Sequence, residues 1–240
     1  MQRAPLALCA ATLLSLTALT ACGGGTGSAP AADKPGATAS PVQRVTPAER
    51  LAKLMVTKAD VPGMEVKPPG KQDDEYLFAK SPDDVTTDRT ACTPLALAMN
   101  QLAFDGSRAD LTHHIPENQR FTYITLMVFG SPGKAESAFA GLSEGVEACG
   151  DGFTAKARST VAYDSVTAER PVTPGGDQSL AFRATTPFRG ITHTMHAQAV
   201  RSGDVVAVYF AADGMAMVQD RPGDAKLPAA VVKAQNAKLG

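Results

Sequence analysis

The first residues of the chain decide which part of it can fold as a globular domain. Met1, Gln2 and Arg3 supply one positive charge, and an apolar run follows over residues 6–18. A short charged head, a compact apolar body and small residues behind it are typical of a secretory signal peptide. The run falls short of the ~20 apolar residues that a spanning helix needs. We therefore predict that residues 1–21 are a signal peptide and that the rest folds where disulfides are permitted.

The residues that end this segment, Leu19-Thr20-Ala21-Cys22, resemble the bacterial lipobox. In proteins with that motif the cysteine receives a thioether-linked diacylglycerol, and the peptide before it is removed. The resemblance implies a secreted lipoprotein that carries acyl chains such as palmitate at Cys22 and is held by them on the outer face of the cell membrane. The alternative is an ordinary signal peptide with a cysteine that follows it by chance.

The next segment differs in composition from the rest of the chain. Residues 23–45 are mostly Gly, Ala, Ser, Thr and Pro, with few apolar side chains. Such a stretch cannot bury enough surface to offset its ordering entropy. We predict a lipidated cysteine and a disordered, flexible linker over residues 22–45, and one folded domain over residues 46–240.

The overall composition excludes several classes of function. Hydrophobic residues make up 44% of the chain and charged residues 20%, which is ordinary for a packed globular protein. The formal net charge of −1 argues against nucleic acid as a partner, because nucleic-acid binders usually carry a strong basic excess. The absence of Trp from the sequence disfavours an aromatic platform for carbohydrate.

Two of the four cysteines fall within the predicted domain. Cys9 leaves with the signal peptide and Cys22 is the proposed lipid site, so Cys92 and Cys149 are the remaining pair. A metal site is the weaker alternative, because no CxxC pair occurs and no histidine is adjacent to either cysteine. We predict a structural Cys92–Cys149 disulfide that joins the start of one helix to the end of another.

Helix and strand signals along the domain predict an α+β fold. Thr46, Thr93 and Ser131, each of which is followed by proline, are predicted to cap the starts of three helices, and a closing helix is predicted over Ala229–Leu239. Strands are predicted over residues 121–129, 153–163, 180–185, 191–200 and 205–212. The strands at 121–129 and 205–212 have apolar side chains on both faces, which predicts central strands covered on both sides. Because short turns connect the later strands, we expect an antiparallel sheet with flanking helices.

A strand–turn–helix block in the middle of the domain resembles part of a known family. The strand ends in FGSP at residues 129–132, an alanine-rich helix follows, and ACG at residues 148–150 closes it. An opening helix with LAKLM at 51–55, followed by ADVPG at 59–63, adds to the pattern. Together these are similar to the extracellular sensor domain attached to the mycobacterial kinase PknH and to the actinobacterial lipoproteins that share this domain. The resemblance implies a sheet with helices and a cleft, and a role in sensing or binding an extracytoplasmic ligand.

Motifs that carry catalysis are not found in the sequence. There is no GxSxG elbow, HExxH helix, Walker loop, GxGxxG turn or kinase signature. His193 and His196 are predicted on one strand, where they point to opposite faces and cannot chelate together. His113 and His114 are predicted in a polar loop. We therefore expect no enzyme activity, no catalytic residue, no metal and no cofactor.

The predicted function is a ligand-binding or sensor-like domain, whose partner is an unknown small molecule or envelope protein. One alternative is a carrier of lipid or of another hydrophobic molecule. Its large pocket would be lined by four apolar side chains: Phe121, Met127, Phe139 and Met195. Another is a cell-wall enzyme, which would need His113 or His193 within hydrogen-bond reach of a carboxylate or hydroxyl in a cleft.

Overall fold

A computed structural model describes residues 45–70, 78–117 and 120–240. The predictions for the signal peptide, for lipidation of Cys22 and for the linker up to residue 44 lie outside these residues. Gln43–Gly240 form one compact unit, which contains both hydrophobic cores and the disulfide and so has what it needs to fold on its own. Within the described residues, no helix is both long and apolar enough to span a membrane.

The described residues form both helices and strands, and the strands between residues 153 and 213 follow one another without an intervening helix, as in an α+β fold. The helices are α1 (Pro47–Leu54), α2 (Thr93–Met99), α3 (Pro132–Ala148), α4 (Gly214–Val218) and α5 (Ala229–Leu239), with 3-10 turns at Pro82–Asp84 and Thr90–Cys92. The strands are β1 (Thr86–Thr87), β2 (Ser107–Glu117), β3 (Arg120–Phe129), β4 (Phe153–Lys156), β5 (Thr160–Tyr163), β6 (Ser165–Glu169), β7 (Gln178–Phe188), β8 (Ile191–Ser202), β9 (Val205–Asp213) and β10 (Asp224–Ala225).

The strands form one large sheet and one small sheet. The large sheet has the order β2-β3-β9-β8-β7-β6, and β10 pairs with β8 outside this order. The small sheet has the order β1-β4-β5. The β10–β8 pair is parallel, and the other strand pairs are antiparallel. The predicted antiparallel sheet with flanking helices is confirmed.

Local sequence explains where the helices begin. At α1, Thr46 accepts a hydrogen bond from the Glu49 backbone N–H, and the Glu49 carboxylate accepts one from the Thr46 backbone N–H. At α3, the hydroxyl of Ser131 accepts from the backbone N–H of Lys134. The prediction that Thr93 caps α2 is wrong. Thr93 is the first helical residue, because the 3-10 turn Thr90–Cys92 leads directly into the helix.

Two stretches of the chain differ from their predicted structure. Residues 153–163 are not one strand but the hairpin β4–β5, since the chain turns at residues 157–159 and returns to the antiparallel register Phe153↔Tyr163. His113 and His114 are not in a loop, because they lie within β2 and pair with Ile124 and Tyr123 of β3. Strand β2 is an edge of the sheet, which is where a polar strand containing proline is tolerated.

Side chains on both faces of the large sheet are buried, in two separate cores. On β9, Val206 and Val208 belong to the core beneath α2 and α3. The intervening Ala207 and Tyr209 belong to the core beneath α1 and α5. Because successive side chains of a strand point to opposite faces, a strand with apolar side chains on both faces, such as β9, requires cover on both sides. The predicted central position of this strand is confirmed.

The disulfide links the two helices that cover one face of the sheet. Cys92 precedes α2, Cys149 follows α3, their Cα atoms are 5.9 Å apart, and both side chains are buried. A Cβ at Gly145 would lie 2.9 Å from the carbonyl oxygen of Ala91, so the absence of a side chain allows α3 to approach this closely. The predicted pairing and its place at two helix ends are confirmed.

Candidate functional site

A cleft of about 360 Å³ opens over one part of the large sheet. It is lined by residues of β6, β7, β8 and the segment around β10: Glu169, Arg170, Val172, Ala181, His196, Ala197, Lys226 and Leu227. We call this cavity the His196 cleft. Its lining joins charged side chains to apolar ones, so it can offer both orientation and hydrophobic contact to a ligand.

Strand pairing brings the charged residues of the cleft together. His196 lies on β8 opposite Arg183 of β7. On the far side of β7, strand β6 ends at Glu169. Strand β10 pairs with β8 through Asp224↔Thr194 and Ala225↔Met195, which places the Asp224 carboxylate beside the imidazole ring. The site is therefore assembled from segments that are far apart in the sequence.

His196 is only 4% exposed, and both nitrogens of its ring contact carboxylates. Nδ1 lies 2.8 Å from Oε2 of Glu169, and Nε2 lies 2.7 Å from Oδ1 of Asp224. The ammonium of Lys226 lies 2.8 Å from Nε2 and 2.9 Å from the same Asp224 oxygen. The guanidinium of Arg183 lies 3.9 Å from Glu169. The base of the cleft is thus a network of charged hydrogen-bonding groups.

Asp224 and Lys226 compete for Nε2 of His196, because a carboxylate can only accept and an ammonium can only donate. A protonated ring donates to both Glu169 and Asp224. A neutral ring that carries its proton on Nδ1 donates to Glu169 and accepts from Lys226. Burial raises the pKa of the Asp224 carboxyl, but hydrogen bonds from Lys226 and His196 outweigh it and hold that pKa below its ordinary value.

His196, the histidine with carboxylate partners, is not one of the two histidines that the sequence offered for an enzyme site, which are His113 and His193. His193 and His196 do point to opposite faces of β8, as predicted, but in the described residues neither nitrogen of the buried His193 has a hydrogen-bond partner. Among the hydrogen bonds of the described residues, none joins His113 to a carboxylate or hydroxyl. The pKa of the His113 imidazole is lowered, mainly by burial and to a smaller extent by the charge of His114. The signal for His196 was the row of polar side chains at alternate positions of an otherwise apolar strand, which also includes Gln198.

A second cavity, of about 510 Å³, lies between α2 and α3. We call it the α2–α3 groove. Its lining is mostly apolar: Thr90, Thr93, Pro94, Leu97, Phe104, Asp105, Gly106, Phe129, Lys134, Ser137, Ala138 and Gly141. None of the four residues expected to line a carrier pocket contributes to either cavity. Met127, Phe139 and Met195 are buried in the core, and Phe121 is half-buried on β3.

In the described ranges, no group of three or more His, Cys, Asp or Glu side chains is arranged to hold a metal ion. In the His196 cleft the ammonium of Lys226 lies 2.8 Å from Nε2, and the Glu169 carboxylate lies 2.8 Å from Nδ1.

The fold is an α+β domain with helices on both faces of a largely antiparallel sheet and one disulfide between helix ends. Among solved structures, the chain is similar to the extracellular domain of PknH from Mycobacterium tuberculosis, at 12% identity and a TM-score of 0.47. The match covers 82% of this chain and 95% of that chain, and the likeness is distant. No protein-family model and no curated protein matches this chain.

Proposed function

We propose that the chain is a lipid-anchored, extracytoplasmic, non-enzymatic ligand-binding or sensor-like domain whose ligand binds in the His196 cleft. The observation that carries this proposal is the network of His196 and its carboxylate partners at the base of an open cavity, in which the imidazole is buried and the carboxylates are partly exposed. Burial of a polar ring costs free energy unless the ring is hydrogen-bonded, and an apolar residue at the same position would avoid that cost. Such networks in a cleft are therefore candidates for function.

The extracytoplasmic location is supported by two features of the chain. The apolar segment at residues 6–18 is typical of a signal peptide. The Cys92–Cys149 disulfide is buried in the domain, and disulfides persist in oxidising compartments. The two features are independent, because one concerns export and the other concerns the redox state at the destination.

The lipid anchor is tested by the change Cys22→Ala in the full-length protein, followed by detergent phase partitioning of the host cells. We expect the wild-type protein in the detergent phase and the variant in the aqueous phase. The matched control is Cys9→Ala, which removes a cysteine from the predicted signal peptide and should leave the partitioning unchanged. Partitioning of Cys22→Ala with the membranes would contradict the anchor.

Ligand binding is tested by a native mass spectrum of residues 43–240, secreted by an actinobacterial host and purified without denaturant. We expect a reproducible extra mass that is lost on denaturation. Lys226→Ala should abolish it, because Lys226 lines the His196 cleft. Lys134→Ala should retain it, because Lys134 lines only the other cavity. A bare polypeptide mass for the wild type would contradict retention of a ligand.

A carrier of hydrophobic molecules is the second candidate, and the α2–α3 groove favours it. Its volume of about 510 Å³ lies in the range of pockets for drug-sized ligands, and its walls include Leu97, Phe104 and Phe129. In this case the pattern of the variants reverses: Lys226→Ala retains the extra mass, and Ala138→Phe, which fills the groove, loses it. The same experiment therefore separates the two candidates.

A further inference from the structure

We infer that the His196 cleft binds its ligand through an anionic group, a carboxylate or a phosphate, and that Asp224 competes with the ligand for this position as an internal anion. The inference rests on the proposed function, because it assigns a chemistry to the ligand of the same cleft.

One oxygen of Asp224 already occupies the position of an anion. Oδ1 lies 2.7 Å from Nε2 of His196 and 2.9 Å from the ammonium of Lys226, and these two nitrogens are 2.8 Å apart. The ammonium of Lys226 donates to this carboxylate oxygen, and Nε2 of His196 also donates to it when the ring is protonated. An oxygen of a bound carboxylate or phosphate would accept the same charge-assisted hydrogen bonds.

Asp224 is held loosely enough to be displaced. Its side chain is 55% exposed, and it lies on the two-residue strand β10, which contributes two paired positions to the sheet. His196, in contrast, is buried on the central strand β8 and is oriented by Glu169 through Nδ1. Because the imidazole of His196 is buried and the Asp224 carboxylate is at the surface, a ligand can replace Asp224 without opening the core.

The balance of charge at the cleft favours an anion over a cation. Glu169 is engaged by Nδ1 of His196 and by Arg183, and Asp224 is engaged by Lys226. Arg170 lines the cleft, is exposed, and forms no ion pair with a carboxylate of the described residues. A cationic ligand would approach Lys226 and Arg170 and would find both carboxylates already paired. An anionic ligand would gain both cations.

Apolar side chains on the cleft wall indicate what the rest of the ligand is like. Val172, Ala181 and Leu227 line the cleft together with the charged groups. Contact with these residues would bury hydrocarbon surface of the ligand beside the anionic group. The site therefore fits a small amphipathic acid or phosphate better than a free inorganic ion.

The experiment follows the imidazole ¹⁵N resonances of His196 by NMR in residues 43–240. The protein is titrated with sodium acetate and separately with sodium phosphate, at fixed pH and at an ionic strength held constant with sodium chloride. We expect saturable shifts at Nε2 with at least one of the two anions. Saturation with acetate alone identifies a carboxylate ligand, and saturation with phosphate alone identifies a phosphate ligand.

Three variants make the titration specific. Asp224→Asn removes the competing charge and should tighten binding by about tenfold, since a like charge next to a bound anion is repulsive. Lys226→Met should weaken binding by a similar factor of about ten. Lys58→Met removes an exposed lysine that does not line the cleft and should leave binding unchanged. Amide spectra of each variant verify that the fold is retained.

The inference is overturned if both anions give only the linear shifts seen with chloride, or if Asp224→Asn binds no more tightly than the wild type. The wild-type titration decides by itself whether the cleft binds an anion, so the test remains conclusive even if a variant does not fold. If the native mass spectrum shows a neutral or cationic ligand that Lys226→Ala removes, ligand binding stands and the anion inference fails. If no ligand is retained but a saturable anion shift occurs, the anion site stands and retention of a ligand fails.

Discussion

Replacement of both Cys92 and Cys149 by alanine should lower the free energy of unfolding by about 4 kcal/mol. The disulfide closes a loop with a sequence separation of 57, and the chain-entropy model gives about 4 kcal/mol at 25 °C for a loop of that length. Both side chains are buried in the core that includes Leu95 and Leu142, so the lost sulfur contacts add to the cost. Domains of ordinary stability have ~5–15 kcal/mol in total, so the effect is large.

The assay is urea unfolding of residues 43–240, followed by circular dichroism, with the wild type and the Cys92→Ala/Cys149→Ala variant side by side. With a urea dependence of about 2–3 kcal/mol/M, the expected loss moves the midpoint down by about 1–2 M. As a control, the folded wild type should show no thiol that reacts with Ellman's reagent before reduction. A loss below about 1 kcal/mol would refute the loop-entropy reasoning, because that model gives several times as much.

Three further predictions concern the stability of the domain. Gly152→Ala should cost at least ~2 kcal/mol in urea unfolding, because Gly152 has a φ of +84° and an added Cβ would collide with a backbone carbonyl oxygen of β5. Gly133→Ala in α3 is the matched control, since it has open space, and it should be neutral or stabilising. Tyr209→Phe should cost about 1–2 kcal/mol, because the buried side-chain oxygen of Asn236 loses the donor 2.6 Å away; an unchanged melting temperature would contradict this. The pKa of Asp60 is lowered from 3.8 to about 2, mainly by a hydrogen bond from the backbone N–H of Thr57. The charge of Asp60 therefore stabilises the fold above pH 3.8, and this contribution is lost as the pH falls towards 2. The difference in melting temperature between wild type and Asp60→Asn should therefore shrink across that window, and a difference that stays constant with pH would argue against it.

Prediction from the sequence worked where the interactions that form an element are local. The closing helix Ala229–Leu239 has the predicted bounds, and α3 begins at the serine–proline pair that suggested it. Caps and helical periodicity involve residues only a few positions apart, so they are visible in the sequence.

Prediction failed where pairing with a distant strand decides the structure. The sequence around His113 and His114 is polar and precedes Pro116, which predicts a loop, yet both residues lie in β2, and ten residues of this strand pair with β3. The alternation of apolar and polar residues over 153–163 predicts one strand, but it continues on both sides of a turn, and the two halves pair as the hairpin β4–β5. Propensity for a strand depends on its neighbours in the sheet, which the local sequence does not contain.

The sequence by itself determined the α+β class, the starts of α1 and α3, the central strands and the Cys92–Cys149 pair, because these follow from short-range patterns or from the small number of cysteines. Only the tertiary structure decided the His196 cleft. Glu169, His196 and Asp224 come from three strands, and the last is placed by a parallel pairing of two residues. Their chemistry depends on distances of a few ångströms across the sheet and on burial, and no spacing along the chain encodes either of these.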